Sequence, residues 1–364
     1  MECLFLKRKI ITFMHHSRRR FFNGLMGLSL TTLAPYILFS KTENATHQEV
    51  KILPKGLRIG DTIGLIAPGY TFPAKVLEET KQTLTAMGFI PYYTERLNKR
   101  HGYFSNTDAE RAKDLNHMFN NTEVDAVLCV RGGYGCTRIM NLIDYEAIKK
   151  NPKALIGFSD VTALLNGIYK MTGLVTFHGP VGSTLNDVYS QKSLSEILTS
   201  HRNLKSIHNT VLLPEYIGNP EYERYTITKG KAEGILCGGS LTLINALIGT
   251  PHEIDFTDTI VCIEDVEEAP YRIDRMLTQL IEGPTFKKAT GIVFGVFAGC
   301  NKSTNPNSFT LKEVLIDRIK PLGIPAVYGM SFGHVAQNFT FPIGIRATFN
   351  TEEMVIRLME KTVA

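Results

Sequence analysis

The chain has 364 residues, of which 43% are hydrophobic and 21% are charged, a composition typical of a globular protein. Since a single hydrophobic core seldom grows to this size, the length predicts about two domains. The formal net charge of +5 is carried entirely by residues 1–40, and the rest of the chain is neutral. A neutral body lacks the basic surface that binds phosphate backbones, so we expect no nucleic-acid partner.

Residues 1–40 have the layout of an export signal. An arginine cluster precedes an uncharged run over residues 21–40, and residues 17–21 resemble a twin-arginine export signal. We expect residues 1–40 to be an export signal or a retained membrane anchor, followed by a polar tether over residues 41–55. The protein would then be periplasmic or anchored at the inner membrane, and cytoplasmic if the leader does not function. A basic N-terminal arm beside a buried helix is the alternative interpretation.

The cysteines do not form a metal-binding pattern. They number six, at positions 3, 129, 136, 237, 262 and 300, and no CxxC pair occurs among them. We therefore expect no metal and no other cofactor. A protein that folds before export meets oxidant late, which predicts mostly buried free thiols.

Short apolar strands alternate with helical patterns between residues 56 and 185. In chain order, strands are predicted in TIGLIAPG, FIPYYTE, VDAVLCV, KALIG and LVTFHGP, and helices in PAKVLEETKQTLTAMG, DAERAKDLNHMFNN, CTRIMNLID and VTALLNGIYKMTG. This alternation predicts an α/β domain with a parallel sheet over residues 56–185. Ligands of such sheets bind beyond the carboxyl ends of the strands, where the sequences APGY, RGGYG, GFSD and FHGP should converge.

The alternating pattern is lost after residue 185. Residues 186–230 are polar and rich in Asn, Pro and Tyr, which predicts a linker. Residues 231–364 contain further apolar strand-like segments and end in two predicted strands, which indicates a second domain.

Ser159 stands between a predicted strand and a predicted helix, in the sequence GFSD. This resembles half of a nucleophile elbow, in which a tight turn exposes the serine oxygen, although Val161 replaces the second glycine of G-x-S-x-G. Serine is also a favoured helix N-cap, so a purely structural role remains the alternative. Asp160 could supply the cap instead and leave the Ser159 hydroxyl free.

The sequence RGGYG, residues 131–135, ends another predicted strand with glycine amides that no side chain covers. Such amides can stabilise the oxyanion of an acyl-transfer intermediate. A tight turn and a phosphate-binding loop are the alternatives, and the latter is disfavoured because neither GxGxxG nor GxxxxGK occurs.

A serine nucleophile needs a base and a carboxylate that orients it. Among ten histidines, His178 and His334 each follow a predicted strand beside glycine, and His252 is less well placed. Glu264 and Asp265 end the apolar strand TIVCI, where a carboxylate can be held rigidly. The order Ser159, Glu264, His334 is the order found in other hydrolases with nucleophile elbows.

Several motifs in register resemble the LD-carboxypeptidase family of serine peptidases, of the muropeptide carboxypeptidase and microcin C7 immunity protein type. They are GDTIGLIAPG, RGGYG, IGFSD, HGP, GGSLTLINALIGTP, IEDVEEAPYRIDRMLTQL, GIVFG and GHVAQNFTFPIG, and they extend over about residues 56 to 360. The resemblance implies a metal-free hydrolase with Ser159, Glu264 and His334 as its triad. It also implies an oxyanion hole at Gly133 and Asp160.

The same resemblance implies the architecture. The N-terminal domain would be a flavodoxin-like parallel sheet with helices, and the C-terminal domain a mixed α/β unit with a small barrel-like sheet. Family members are commonly homodimers. This sequence departs from the family at Ser240, where members often have asparagine, and in its leader, which members that recycle murein usually lack.

The resulting prediction is a serine carboxypeptidase that cleaves the L,D bond before the terminal D-alanine of murein tetrapeptides. Arg131 is the nearest cation for the substrate carboxylate, although it could equally brace the glycine loop, and Tyr134, His178 and Ser240 are further substrate-binding candidates. One alternative is an immunity-type hydrolase of peptide–nucleotide or acyl-sulfamoyl compounds. Another is a non-catalytic exported muropeptide-binding protein.

Overall fold

The computed structural model describes residues 51–199, 205–303 and 305–364. The predicted leader over residues 1–40 lies outside these ranges. Among the described residues, none of the helices is both long enough and apolar enough to cross a membrane.

The described residues form helices and strands that alternate through much of the chain. The helices α1 to α9 span Ala74–Ala86, Asp108–Asn120, Cys136–Ile139, Tyr145–Lys150, Thr162–Thr172, Val188–Thr199, Leu241–Leu247, Pro270–Glu282 and Leu311–Ile319. The strands β1 to β14 span Thr62–Ile66, Ile90–Tyr92, Ala126–Cys129, Ala154–Gly157, Thr176–His178, Ser206–His208, Tyr225–Thr228, Lys231–Ser240, Thr259–Glu264, Gly291–Gly295, Ala326–Met330, Phe341–Ile343, Arg346–Asn350 and Val355–Leu358.

The first sheet, sheet I, has the strand order β12-β5-β4-β3-β1-β2. Strands β1 to β5 pair in parallel, in the flavodoxin-like order, and β12 adds antiparallel to β5. Strands β3, β4 and β5 are buried throughout, which explains why they read as continuous apolar runs rather than alternating ones. The predicted parallel α/β fold is confirmed.

The second sheet, sheet II, has the order β6-β14-β13-β8-β9-β10-β11-β7. Strands β8 to β11 are parallel, and antiparallel strands extend the sheet on both sides. The predicted mixed α/β character of this region is confirmed. The strand order of the described residues ends at β6 and β7 and includes no pairing that closes it into a barrel.

The segment predicted as a linker, residues 186–230, is more structured than the sequence suggested. It contains α6, which buries Leu194, Ile197 and Leu198 at the helical spacing, and the outer strands β6 and β7 of sheet II. The segment is polar because β6 and β7 are the edge strands of sheet II and are only partly buried. In addition, β12 comes from the C-terminal region and completes sheet I, so the chain crosses between the two sheets three times.

Candidate active site

Ser159 lies in a strained turn between β4 and α5. Its φ is 62°, in the left-handed region that non-glycine residues rarely occupy, and such strain often marks a functional position. Gly157 makes the turn possible, because a Cβ at this position would lie 2.8 Å from the side chain of Val161. Val161, which replaces the second glycine of the elbow motif, therefore packs against the first glycine, and the turn retains its tight form.

Ser159, His334 and Glu264 form a continuous hydrogen-bonded chain. His334 Nε2 lies 3.0 Å from Ser159 Oγ, and His334 Nδ1 lies 2.8 Å from Glu264 Oε2. Glu264 is the last residue of β9 and is fully buried, whereas His334 lies in the loop after β11. Gly333 permits the close approach, since a Cβ there would lie 2.6 Å from Glu264 Oε2. The three predicted triad residues thus meet in the geometry of a nucleophile, a base and an orienting carboxylate.

The electrostatic environment of His334 stabilises the imidazolium form more than water does. Burial by itself would lower the pKa of the imidazole, but the charge of Glu264 and its hydrogen bond outweigh this effect, and the pKa is raised above 6.5. Burial, followed by the charge of Glu264, raises the pKa of the neighbouring Asp265 to about 7. Asp265 accepts hydrogen bonds from the Thr242 amide and hydroxyl and from the Val266 amide, so it anchors the first turn of α7.

The glycine loop after β3 approaches Ser159 closely. A Cβ on Gly132 would lie 3.0 Å from Ser159 Cβ, and one on Gly133, whose φ is 106°, would lie 2.5 Å from the Tyr70 ring. No hydrogen bond from the Gly133 amide to a described residue is present. The loop therefore brings backbone donors beside the Ser159 hydroxyl, as an oxyanion hole requires. The roles of Gly133 and the Asp160 amide as oxyanion donors remain predictions.

The Asp160 side chain does not cap its own helix, contrary to the expectation from the sequence. No side chain caps α5, and Asp160 Oδ2 instead accepts a hydrogen bond from the Cys136 amide, 2.9 Å away, at the start of α3. Burial raises the pKa of Asp160, and its hydrogen bonds with Cys136 and Gly135 oppose this effect. Asp160 thus fixes the end of the glycine loop rather than the helix that follows the nucleophile.

Arg111 is a buried support of the glycine loop that the sequence did not reveal. Its side chain is 1% exposed, and its guanidinium donates to the carbonyl oxygens of Pro68, Asn106 and Gly135. In the sequence, Arg111 lies among charged residues of a helix, a pattern that normally indicates a solvated face. The amphipathic pattern of the sequence does not distinguish a single buried arginine from the exposed charged residues next to it.

Arg131 and Tyr134 lie on the exposed side of the glycine loop. Arg131 Nη1 donates to the carbonyl oxygen of Thr71 at 3.0 Å, and its guanidinium lies 5.9 Å from the centre of the Tyr70 ring. These contacts brace the loop and leave the other guanidinium donors free of described partners. Tyr134 is 43% exposed, with its ring 6.2 Å from that of Tyr103. Both residues are accessible to a substrate, but their binding roles remain predictions.

His178 does not face the substrate, and its prediction as a substrate-binding residue is corrected. Its side chain is fully buried, its ring stacks on Phe341 at 4.6 Å, and neither ring nitrogen has a hydrogen-bond partner. Burial lowers the pKa of His178 to about 4, so the ring is neutral. The physical reason is β12, which pairs with β5 and covers the strand end on which His178 lies.

Ser240 is also buried, with 3% exposure, and a direct substrate contact by its side chain is corrected to a structural role. Its hydroxyl caps α7 by accepting from the Leu243 amide at 3.5 Å, and its own amide donates to Thr162 Oγ1. It pairs with Glu264 in the β8–β9 ladder, so it lies one strand away from the triad carboxylate.

The expectation for the cysteines is confirmed in the described part of the chain. Its cysteines, at positions 129, 136, 237, 262 and 300, are all buried and free. No group of three or more His, Cys, Asp or Glu side chains that could hold a metal occurs within residues 51–199, 205–303 and 305–364.

Comparisons with known proteins place this fold and geometry in a family. Residues 63–179 match the LD-carboxypeptidase N-terminal domain, and residues 233–349 match the LD-carboxypeptidase C-terminal domain. A probable murein peptide carboxypeptidase of Bacillus subtilis (strain 168) is 40% identical over 304 residues, which cover 82% of this chain and 92% of the relative.

Two further comparisons show the range of proteins that share the fold. The microcin C7 self-immunity protein MccF of Escherichia coli is 27% identical over 86% of this chain and 97% of its own length. The crystal structure of muramoyltetrapeptide carboxypeptidase from Oxalobacter formigenes is 30% identical, with a TM-score of 0.70, over 82% of this chain and 97% of the other. The chain therefore belongs to the LD-carboxypeptidase family of serine-type hydrolases.

Proposed function

We propose that the protein is a murein tetrapeptide carboxypeptidase, in which Ser159 attacks the carbonyl carbon that precedes the terminal D-alanine. The observation that carries this proposal is the hydrogen-bonded chain from Ser159 through His334 to the buried Glu264. The names of the Bacillus subtilis and Oxalobacter formigenes relatives support the choice of a murein peptide as substrate.

The reaction would proceed through an acyl-enzyme. His334 Nε2 accepts the Ser159 proton as the Oγ–carbon bond forms, and it then donates this proton to the nitrogen of the departing D-alanine. Glu264 holds the Nδ1–H tautomer and stabilises the imidazolium. Water, deprotonated by His334, then hydrolyses the Ser159 ester and releases the tripeptide.

The glycine loop and Arg131 would bind the two negatively charged parts of the reacting substrate. The amides of Gly133 and Asp160 would donate to the oxyanion that forms at the attacked carbonyl. The free guanidinium donors of Arg131 would bind the terminal carboxylate, and this contact would make the enzyme a carboxypeptidase rather than an endopeptidase.

The test is the release of D-alanine from purified murein tetrapeptide, followed by mass spectrometry. We expect release by the native protein and none above background by Ser159→Ala, with Ser195→Ala on α6 as the matched control that retains activity. The absence of release by the native protein, or equal release by Ser159→Ala, would refute the proposal.

A second candidate is a hydrolase of peptide–nucleotide or acyl-sulfamoyl compounds, which the likeness to the microcin C7 self-immunity protein favours. The same triad would attack an acyl carbonyl in such a compound. Incubation with an aminoacyl-sulfamoyl adenosine distinguishes the two, since the murein enzyme should cleave the tetrapeptide at least 100-fold more efficiently. A reversed preference would favour the second candidate.

We further propose that the protein is exported through its twin-arginine-like leader, is periplasmic or anchored at the inner membrane, and acts as a homodimer. The arginine cluster and the uncharged run that follows it support export. Changing Arg18 and Arg19 to Lys should retain the protein in the cytoplasm on fractionation, and unchanged localisation would refute export by this route. Sedimentation should give twice the monomer mass, and a monomer would refute the dimer.

A further inference from the structure

His334 lies in a loop, residues 331–339, between β11 and β12. A hydrogen bond of 2.9 Å from the Phe339 amide to the Ser331 carbonyl oxygen closes this loop at its base. Since residues 331–339 belong to neither a helix nor a strand, regular backbone hydrogen bonds do not hold the His334 imidazole in place. Its position relative to Ser159 must depend on contacts within the loop and on the element to which the loop is attached.

Asn338 fixes the loop from within. It is 1% exposed, and its Oδ1 accepts a hydrogen bond from the Gly333 amide at 3.2 Å. Gly333 precedes His334 in the chain and approaches the Glu264 carboxylate, so this bond holds the backbone between two triad residues. Because the Gly333 amide can only donate, the side-chain oxygen of Asn338 must face it, and Nδ2 then points elsewhere.

The Nδ2 group of Asn338 makes this side chain unfavourable for folding. It is buried and has no hydrogen-bond partner among the described residues. A buried donor without an acceptor lowers the stability of a protein, and a leucine of similar volume would avoid this penalty. Residues that break a folding rule in this way are expected at functional sites, which indicates that the Asn338 oxygen serves the site.

Ser190 connects the loop to α6. Its hydroxyl is fully buried, accepts a hydrogen bond from the Asn338 amide at 3.0 Å, and lies 2.8 Å from Asp187 Oδ2 and 3.1 Å from the carbonyl oxygen of Ala336. Asp187 Oδ2 also accepts a hydrogen bond from the Ser190 amide at 2.7 Å, which fixes the first turn of α6. The loop is thus attached to a capped helix.

We propose that Asn338 is a positioning residue of the reaction, which holds the loop so that the His334 imidazole meets Ser159 and Glu264 at once, and that Ser190 anchors Asn338 to α6. This inference rests on the proposed function, in which His334 is the base. A displacement of a reacting group by about 1 Å can lower the rate about 10²-fold, so a small movement of this loop is sufficient for a large kinetic effect.

The test measures D-alanine release from murein tetrapeptide by matched variants. Asn338→Leu should lower kcat about 10²-fold and change KM less than about twofold, because the proposed substrate-binding groups belong to the glycine loop of sheet I. Its Tm should change by less than about 3 °C, since the unpaired Nδ2 is lost together with the bond to Gly333. Asn338→Asp keeps the oxygen that faces Gly333 and should recover most of the lost kcat. Asn116→Leu on α2 is the control, because Asn116 Oδ1 also accepts from a backbone amide, that of Asp144 at 2.9 Å, and it should keep the native kcat.

Ser190→Ala tests the anchor. It removes the hydroxyl and leaves the backbone hydrogen bond to Asp187, so kcat should fall about tenfold at unchanged KM. Ser193→Ala on the same helix is the control and should keep the native kcat, because Ser193 Oγ accepts from the Thr340 amide, at 2.8 Å, beyond the loop. Ser190→Ala also decides the inference if Asn338→Leu does not fold, and equal losses in both serine variants would overturn it.

A second measurement, the rate at which an alkyl fluorophosphonate labels Ser159, needs no murein peptide. The serine oxygen bonds to phosphorus, fluoride leaves, and His334 takes up the serine proton, so the rate of mass increase reports the same positioning. We expect Asn338→Leu to be labelled about 10²-fold more slowly than the native protein, and Asn116→Leu to be labelled at the native rate.

The outcomes separate this inference from the proposed function. If Asn338→Leu keeps the native kcat and labelling rate, or loses no more than Asn116→Leu, the inference is overturned while the proposed function stands. If the native protein is labelled at Ser159 but releases no D-alanine, the proposed function fails, and the labelling rates alone decide the inference. If the native protein shows neither labelling nor release, both fail.

Discussion

Sheet I presents Ser159 and Gly133 at the ends of β4 and β3, whereas sheet II presents Glu264 and supports His334 at the ends of β9 and β11. On sheet I the functional atoms depend on the backbone, because both residues have φ in the left-handed region. On sheet II they depend on charge, because a fully buried carboxylate orients an imidazole. The two sheets therefore contribute differently to the site. Sheet I supplies the geometric half, the backbone turns that place Ser159 and Gly133, and sheet II supplies the electrostatic half, the buried carboxylate and the imidazole. Mutations in the two halves should have different kinetic effects.

The largest effect is expected from loss of the link between the halves. His334→Gln removes the base that joins Ser159 to Glu264, and kcat should fall roughly 10⁴-fold or more with little change in KM. Steady-state kinetics on murein tetrapeptide measures this. A loss of less than tenfold would show that His334 is not the base.

The geometric half is tested by Gly133→Ala. The added methyl group would meet the Tyr70 ring and strain the backbone, so the loop should shift and kcat should fall roughly 10²–10³-fold, as for the loss of an oxyanion donor. Gly60→Ala is the matched control, because Gly60 also has a positive φ, of 91°, but no atom would contact its Cβ. If both variants lose activity equally, the oxyanion role of the loop is refuted.

The electrostatic half is tested by the pH dependence of kcat/KM. The base must be neutral, and its pKa is raised above 6.5, so activity should fall about tenfold per pH unit below that raised pKa. Glu264→Gln should move this acid limb to lower pH, since burial then lowers the pKa of His334 without the opposing charge. An acid limb that does not move in Glu264→Gln would contradict the coupling.

The smallest effect is expected at Ser240, which lies next to the triad carboxylate but contacts no substrate in this account. Ser240→Ala removes the cap of α7 and should cost about 1 kcal/mol of stability and lower Tm by about 2 °C. kcat/KM should change less than threefold. Thr310→Ala, which removes the cap of α9, a helix that carries no triad residue, should behave similarly. A large loss of kcat/KM in Ser240→Ala alone would show that the residue binds substrate.

Each triad residue follows or ends a buried strand, and the buried strands of sheets I and II read as continuous apolar runs, so the residue pattern could mark all three as candidates. The family resemblance, rather than this criterion, selected Ser159 as a nucleophile instead of a helix cap and His334 from among the histidines. The same criterion failed for His178, since the strand that buries it, β12, lies more than 160 residues further along the chain. Pairing between strands that lie so far apart in the chain leaves no pattern in the sequence around His178. The sequence could identify which residues lie at strand ends, but not which of those ends are covered.

The supports of the glycine loop were similarly hidden. Arg111 and Asp160 form hydrogen bonds with backbone groups at the end of the loop. Since nearly every residue has a backbone donor and a backbone acceptor, the sequence does not indicate which of them a side chain will bind. Asp160 could equally have capped α5, and only the position of α3 shows which amide it binds. The segment that the sequence indicated as a linker also contributes to the surface, because its residues 215–222 line a cavity together with Glu267.

The central claim is that Ser159 is the nucleophile, and the most direct measurement is the mass of the acid-quenched enzyme during turnover of murein tetrapeptide. The account predicts a fraction of protein heavier by the tripeptide acyl group, with the addition located on the proteolytic fragment that contains Ser159. An addition on a different residue would contradict the account.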